Sequence, residues 1–315
     1  GITRCAAAHL ATGRLEYAHR ALLLLDRVAD VYPRMSYKEQ GLVYENLGCP
    51  GFVCVWHDAC EESSELALAY DAVRPALPEA AELVKFLREK AQRFRVGGPK
   101  DSPDAIRDNI ERNFLQQTVD NRERIYCNFP RTELALIRIL SILDSDKHRD
   151  EIDSHIRLML TQGTAVDGVT GEKGVNGYAA WTSSGIFDFM AHLAIAEPAR
   201  FRELLARHPG LHAGLRFFLD TWCLRKFYPS CGDAGAFTQP QEQVAALNFE
   251  SYQPEPAGAA ALPGVGLKFL PRPSPHALLW ALYQATGDVD MLRLSRLAND
   301  SPDGQLRFGL LADPS

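Results

Sequence analysis

Apolar residues recur along this chain at intervals of three and four, the spacing of one face of an α-helix, and the strict alternation a half-buried strand needs is scarce. The opening shows the pattern most clearly. A small-residue run, Cys5-Ala6-Ala7-Ala8-His9-Leu10, stops at Thr12-Gly13, and a second run from Leu15 to Tyr32 sets Leu22, Leu25, Val28 and Tyr32 on one face before Pro33. Glycine supplies the left-handed backbone that ends a helix, and proline cannot continue one, so two helices joined by a tight turn are predicted. The same plan returns at Ala277–Leu282, Thr286-Gly287-Asp288 and Met291–Leu294. Between these ends the periodicity predicts helical pairs at Glu61–Val73 with Ala80–Arg93, Pro103–Val119 with Thr132–Leu143, and Ile152–Gln162 with Tyr178–Ala196.

A lone helical hairpin cannot bury its apolar face, so repeated hairpins must stack, as an open solenoid or as a closed toroid. The stretch from Tyr228 to Gly266 breaks the pattern with Pro, Gly, Ala and Gln. Irregular segments of that length inside compact domains are usually functional or mobile, and a loop over a cleft suits a toroid better than a solenoid. The expected fold is therefore all-α: a single incomplete (α/α) toroid over residues 1–315 with a long cleft loop at about 228–266.

Composition narrows the partners. The 315 residues carry a formal charge of −6, whereas nucleic-acid and membrane surfaces select basic footprints, so neither partner is expected. No run of about 18 apolar residues offers a membrane span. Seven cysteines (Cys5, Cys49, Cys54, Cys60, Cys127, Cys223, Cys231) form no CxxC pair and no His/Cys group with zinc spacing, so buried free thiols, no metal and no cofactor are expected. Cys54 and Cys60 are close enough in sequence to pair in an exported protein.

Three short constellations hold the candidate chemistry. In Arg122-Glu123-Arg124-Ile125-Tyr126-Cys127-Asn128-Phe129-Pro130, Asn128 either caps the helix that follows or hydrogen-bonds a substrate carboxylate. In Asp167-Gly168-Val169-Thr170-Gly171-Glu172-Lys173-Gly174-Val175-Asn176-Gly177-Tyr178, glycines let the backbone bend and aim one phenol from the first turn of a helix. That phenol is a candidate proton-transfer group, or a rim aromatic beside Trp181. In Phe227-Tyr228-Pro229-Ser230-Cys231-Gly232-Asp233-Ala234-Gly235, Asp233 forms a turn or orients a partner. His57, in Val55-Trp56-His57-Asp58, is either a satisfied structural imidazole or a general base. The run Gly171–Gly177 follows no strand and lacks Gly-Lys-Ser/Thr, which excludes a nucleotide loop. No HExxH and no Ser-His-Asp order is present.

The order of these motifs, an Asn in a turn before a helix, then Asp-Gly-x-x-x-Glu leading to Gly-Tyr, then Pro-Ser-x-Gly-Asp-x-Gly, resembles the helical domain of the heparinase II/III-like polysaccharide lyases. The opening hairpin, Ala11-Thr12-Gly13-Arg14-Leu15-Glu16-Tyr17-Ala18, and Leu66-Ala67-Leu68-Ala69-Tyr70-Asp71 extend the likeness over most of the chain. The resemblance implies an incomplete toroid followed by an antiparallel β-sandwich, with an acidic polysaccharide in the cleft between them. The chain stops at Pro314-Ser315, about where such a toroid hands over, so the sandwich and any histidine it supplies are expected to be missing and the chain alone inactive. A periplasmic or secreted location is implied in the same way.

The implied reaction is β-elimination at a uronic acid, which requires neutralising the carboxylate, removing the proton on the adjacent carbon and protonating the departing oxygen. By resemblance Asn128 matches the carboxylate-neutralising Asn, Tyr178 the base or acid tyrosine, and Glu172 an orienting acid. Several family members carry a His at or just after the Asn; here Phe129-Pro130 stands there, so His57 or the missing domain must serve. Trp181, Trp222, Arg225, Tyr228 and Asp233 are the expected substrate-binding groups, arginine for a carboxylate and aromatics for sugar rings. Two other classes fit the same residues: an (α/α)-barrel glycoside hydrolase using Asp167, Glu172 or Asp233 as its carboxylates, and a non-catalytic helical scaffold for glycan or protein.

Overall fold

The structure, a computed structural model, describes residues 1–35, 59–95, 98, 100–165, 167–172, 174–229, 231–232, 244–247 and 275–299. Among them the chain forms helices and turns with no β-sheet, as the period of three to four requires. They divide into two compact units, one within Gly1–His155 and one from Ile156 onward. The division falls inside a single helix, Arg149–Gly163.

In the first unit, α1 (Ile2–Thr12) ends at Gly13, whose φ of 68° is the left-handed cap expected from sequence, and its amide donates to the His9 carbonyl. α2 (Leu15–Val31) runs back along it and ends in a 3₁₀ turn at Tyr32–Arg34 containing Pro33. α3 (Ala59–Val73) packs on α1 and α2. The expected pairing of α3 with the next helix, α4 (Ala81–Phe94), is not the main packing. Instead α3 packs against α7 (Arg131–Asp144), because the 3₁₀ segment Arg74–Glu79, with Pro75 and Pro78, breaks the hairpin between α3 and α4. α5 (Pro103–Ile110) starts at Ser102, whose hydroxyl accepts the Ala105 amide at 3.1 Å, and packs on α2. It widens into a π-turn at Glu111–Gln116 and closes as α6 (Gln117–Asp120). α8 (Arg149–Gly163) carries the chain across the division.

The core of this unit is aromatic and aliphatic: Leu22, Leu25, Tyr32, Tyr70, Ile106, Ile110 and Phe114 are fully enclosed. Tyr32 and Phe114 meet edge to face at 4.9 Å, and the Thr118 hydroxyl bonds the Tyr32 oxygen at 2.6 Å. A polar knot is buried beside them. The Asn109 amide donates to the Asp26 carboxylate at 2.8 Å and to Asp30 at 3.0 Å, while Lys100 lies 3.3 Å from Asp26 and 2.7 Å from Asp30. Burial raises the Asp26 carboxyl above its ordinary range, and Asn109 and Lys100 oppose that rise.

In the second unit α9 (Ala180–Ala196) packs on α10 (Pro198–Arg207) and on α12 (Pro275–Thr286). α11 (Gly210–Asp220) precedes the tight turn at Cys223–Phe227, and α12 with α13 (Val289–Asn299) forms the hairpin expected at this end, with Gly287 at φ 73°. Among the described cysteines, Cys60 and Cys127 are buried free thiols as expected, but Cys223 and Cys231 are exposed. They lie in the segment that follows α11, where Cys223 bridges to Phe227. Cys49 and Cys54 lie outside the described residues.

Candidate functional site

The segment leading to Tyr178 is shaped by its glycines. Asp167, at φ 51°, and Gly168, at φ 89°, turn the chain through the left-handed region, and Gly174, at φ 87°, turns it again. Gly168 touches the backbone of Gly214 in α11 so closely that a Cβ on either residue would overlap the other's backbone atoms. The Thr170 hydroxyl accepts the Glu172 amide at 2.9 Å. The helix then begins through a kinked turn, Gly174–Ala179, in which Asn176 and Gly177 depart from helical dihedrals. Tyr178 follows that kink, half-buried, with its ring 6.4 Å from Trp181 in an edge-to-face arrangement; Trp181 itself is 47% exposed. The geometry thus presents a supported phenol beside an accessible indole. Glu172 is exposed in the preceding turn. Asp167 is a turn residue by its positive φ, which accounts for it without a carboxylate role.

Asn128 belongs to the first unit and Tyr178 to the second. Asn128 is not the side-chain cap of α7. The Cys127 amide donates to the Thr132 hydroxyl at 2.8 Å, and Asn128 contributes its carbonyl, which accepts from the Arg131 amide at 2.9 Å. Its half-buried carboxamide makes no hydrogen bond to the described residues, so both its donor and its acceptor remain open to a ligand.

Two groups near Arg122 were not singled out from sequence. Glu133, in the first turn of α7, has a buried carboxylate oxygen without a hydrogen-bond partner among the described residues, and burial pushes its carboxyl up, opposed by a backbone hydrogen bond and by Arg122. His155, buried in α8, is pushed below the usual imidazole range by burial; Glu151 opposes the shift and Arg122 adds to it. Glu133 reads from sequence as an ordinary helix-start acid. His155 carries no local signal because its charged neighbour Arg122 lies on a distant stretch of chain.

The other expected contact groups separate by burial. Trp222 is 7% exposed and Tyr228 4% exposed, so neither offers an open ring face. The Tyr228 hydroxyl donates to the Phe218 carbonyl and accepts from the Ala245 amide, each at 2.9 Å, and burial raises its phenol. Arg225 is exposed on the turn after α11. His57 and Asp233 lie outside the described residues. No group of three or more metal-ligating side chains occurs among the described residues, and no helix among them is long and apolar enough to cross a membrane. No family model, curated protein or solved structure matches this chain.

Proposed function

We propose that this chain is the helical part of a polysaccharide lyase that cleaves a uronic-acid-containing polymer by β-elimination, in the manner of the heparinase II/III-like enzymes its motifs resemble. The observation that carries the reading is the presentation of Tyr178: a glycine-built turn, braced on Gly214, ends in a kink that holds a half-buried phenol against Trp181. Such pre-organisation costs backbone freedom at several glycines and is favoured where a side chain must be aimed.

In the proposed reaction the Asn128 carboxamide hydrogen-bonds the uronate carboxylate and draws off charge as the neighbouring C–H bond is broken. A base takes that proton, and the electron pair forms the new C=C bond while the glycosidic C–O bond breaks. Tyr178 donates its hydroxyl proton to the departing oxygen. Within this chain His57 is the histidine candidate for that base. Glu172 orients the phenol or the sugar from the preceding turn.

The test is product analysis on uronate polymers with the protein that contains this chain. Elimination leaves a double bond conjugated to the carboxylate, which absorbs in the near ultraviolet, whereas hydrolysis leaves none. Chain cleavage without that absorbance sinks the lyase reading and moves the assignment to a hydrolase.

A further inference from the structure

The second unit contains a cleft of about 400 Å³ at the meeting of α11, the turn after it and α13, whose lining includes none of the residues from Asp167 to Trp181. Four arginines and two aspartates face it, an excess of two positive charges. The excess is not evenly spread. Arg216 is held by Asp220 at 2.6 Å and by Asp290 at 2.7 Å, and Arg293 by Asp290 at 2.8 Å. Arg225 and Arg296 are exposed and make no ion pair or side-chain hydrogen bond with the described residues. The paired arginines line the cleft as fixed framework, and the other two guanidiniums bring the unspent donors.

The turn that carries Arg225 is conformationally costly. Leu224 and Arg225 both sit in the left-handed region, at φ 54° and 53°, between Cys223 and Phe227, which exchange backbone hydrogen bonds of 2.7 and 3.0 Å. This is a tight hairpin turn of the kind that normally uses Asn-Gly, because each non-glycine residue there is strained. Leu224 gains no burial in return, being 87% exposed. Strain retained without a packing gain points to a positional role for the side chain it displays. Trp222, two residues before the strained pair, closes the inner wall of the cleft.

We propose that this cleft binds the oxyanion of an acidic sugar, a carboxylate or sulfate, between Arg225 and Arg296. Planar guanidiniums suit such groups because they donate paired, parallel hydrogen bonds. That the oxyanion is borne by a sugar rests on the lyase reading; the oxyanion site itself does not.

The experiment titrates the 315-residue chain at low salt with inorganic sulfate, with a uronate oligomer, and with a neutral oligosaccharide of equal length. Both anions bind, the neutral sugar does not, and added salt weakens the binding. Arg225→Gln and Arg296→Gln each weaken it on the order of tenfold, while Arg207→Gln, outside the cleft and paired with Glu203, leaves it unchanged. Arg225→Gly serves as the second variant: it relieves the left-handed strain, so its melting temperature rises while anion affinity falls, which a merely destabilised protein cannot show. Sulfate binding that is lost in these variants supports the site even where no lyase turnover is found. Equal anion affinity in the wild type and both glutamine variants, or no binding of either anion, overturns it.

Discussion

Gly168 and Gly214 meet backbone to backbone, with no room for a methyl group on either. One lies in the turn that leads to Tyr178 and the other in the middle of α11, so the position of the proposed catalytic turn depends on a helix far along the chain. Replacing Gly214 by Ala forces the two segments apart. We expect a loss of about 3 kcal/mol in denaturant unfolding, the upper range for overpacking, together with reduced turnover from the displaced turn. A variant as stable as wild type would show that the contact yields easily and does not hold the turn.

Tyr178→Phe removes one proton and keeps the ring that packs near Trp181. Loss of a positioned general acid or base lowers turnover by roughly 10²–10⁴-fold, and an unchanged melting temperature would assign that loss to chemistry. Full turnover by the Phe variant would remove Tyr178 from the mechanism.

Tyr228→Phe has the opposite expectation. Its hydroxyl joins Phe218 to Ala245 through one buried and one partly buried hydrogen bond, so the change destabilises the second unit by about 1–2 kcal/mol. Substrate affinity is expected to stay level. A rise in KM at constant stability would restore a sugar-contacting role for this ring.

Asn109 is expected to be the most sensitive polar residue of the first unit, because its amide satisfies both Asp26 and Asp30. Asn109→Leu preserves much of the volume but leaves the buried Asp26 carboxylate short of a donor, at a cost of about 2–3 kcal/mol. Combining it with Asp26→Leu should recover part of the loss, and strict additivity of the two changes would argue against the coupling.

Acid should loosen the second unit through His276. This residue is 3% exposed on α12 with Nδ1 2.5 Å from the Ser295 hydroxyl, and burial pushes its pKa from 6.5 to about 4. In that interval the unfolded chain binds a proton that the folded chain does not, so stability is full above pH 6.5 and falls as the pH drops through the window to about 4. The loss reaches about 3 kcal/mol at its limit. His276→Gln should flatten this part of the stability profile measured by denaturant titration at successive pH values.

The helical class and the two terminal hairpins were legible because their signals are local. Gly13 and Gly287 cap helices where the pattern places them, and Leu22, Leu25 and Tyr32 share a buried face. The partner of α3 was not legible, since nothing in Ala59–Val73 distinguishes α7 from α4 as the surface it covers. α10 and α11 were not among the pairs the periodicity picked out, although each opens at a proline, Pro198 at the first position of α10 and Pro209 just before α11. At the candidate site the Gly-Tyr turn stood out by composition alone. Glu133, His155 and the arginine cleft did not, because burial and charge pairing arise only after distant segments meet.

The π-turn at Glu111–Gln116 also bears on how the first unit keeps its register. Residues four apart advance about 40° past a full turn in a regular α-helix, so Ile106, Ile110, Phe114 and Thr118 would spiral off a common face. The wider turn takes up one additional residue and brings Phe114 and Thr118 back toward Tyr32, where both contact it. Helix α5–α6 thus works as a vernier, with a single residue of slack setting its second half in phase with its first. Winding that turn as regular α-helix with every residue kept would swing Thr118 about a quarter turn or more away from its partner, so the straighter helix would make the poorer core.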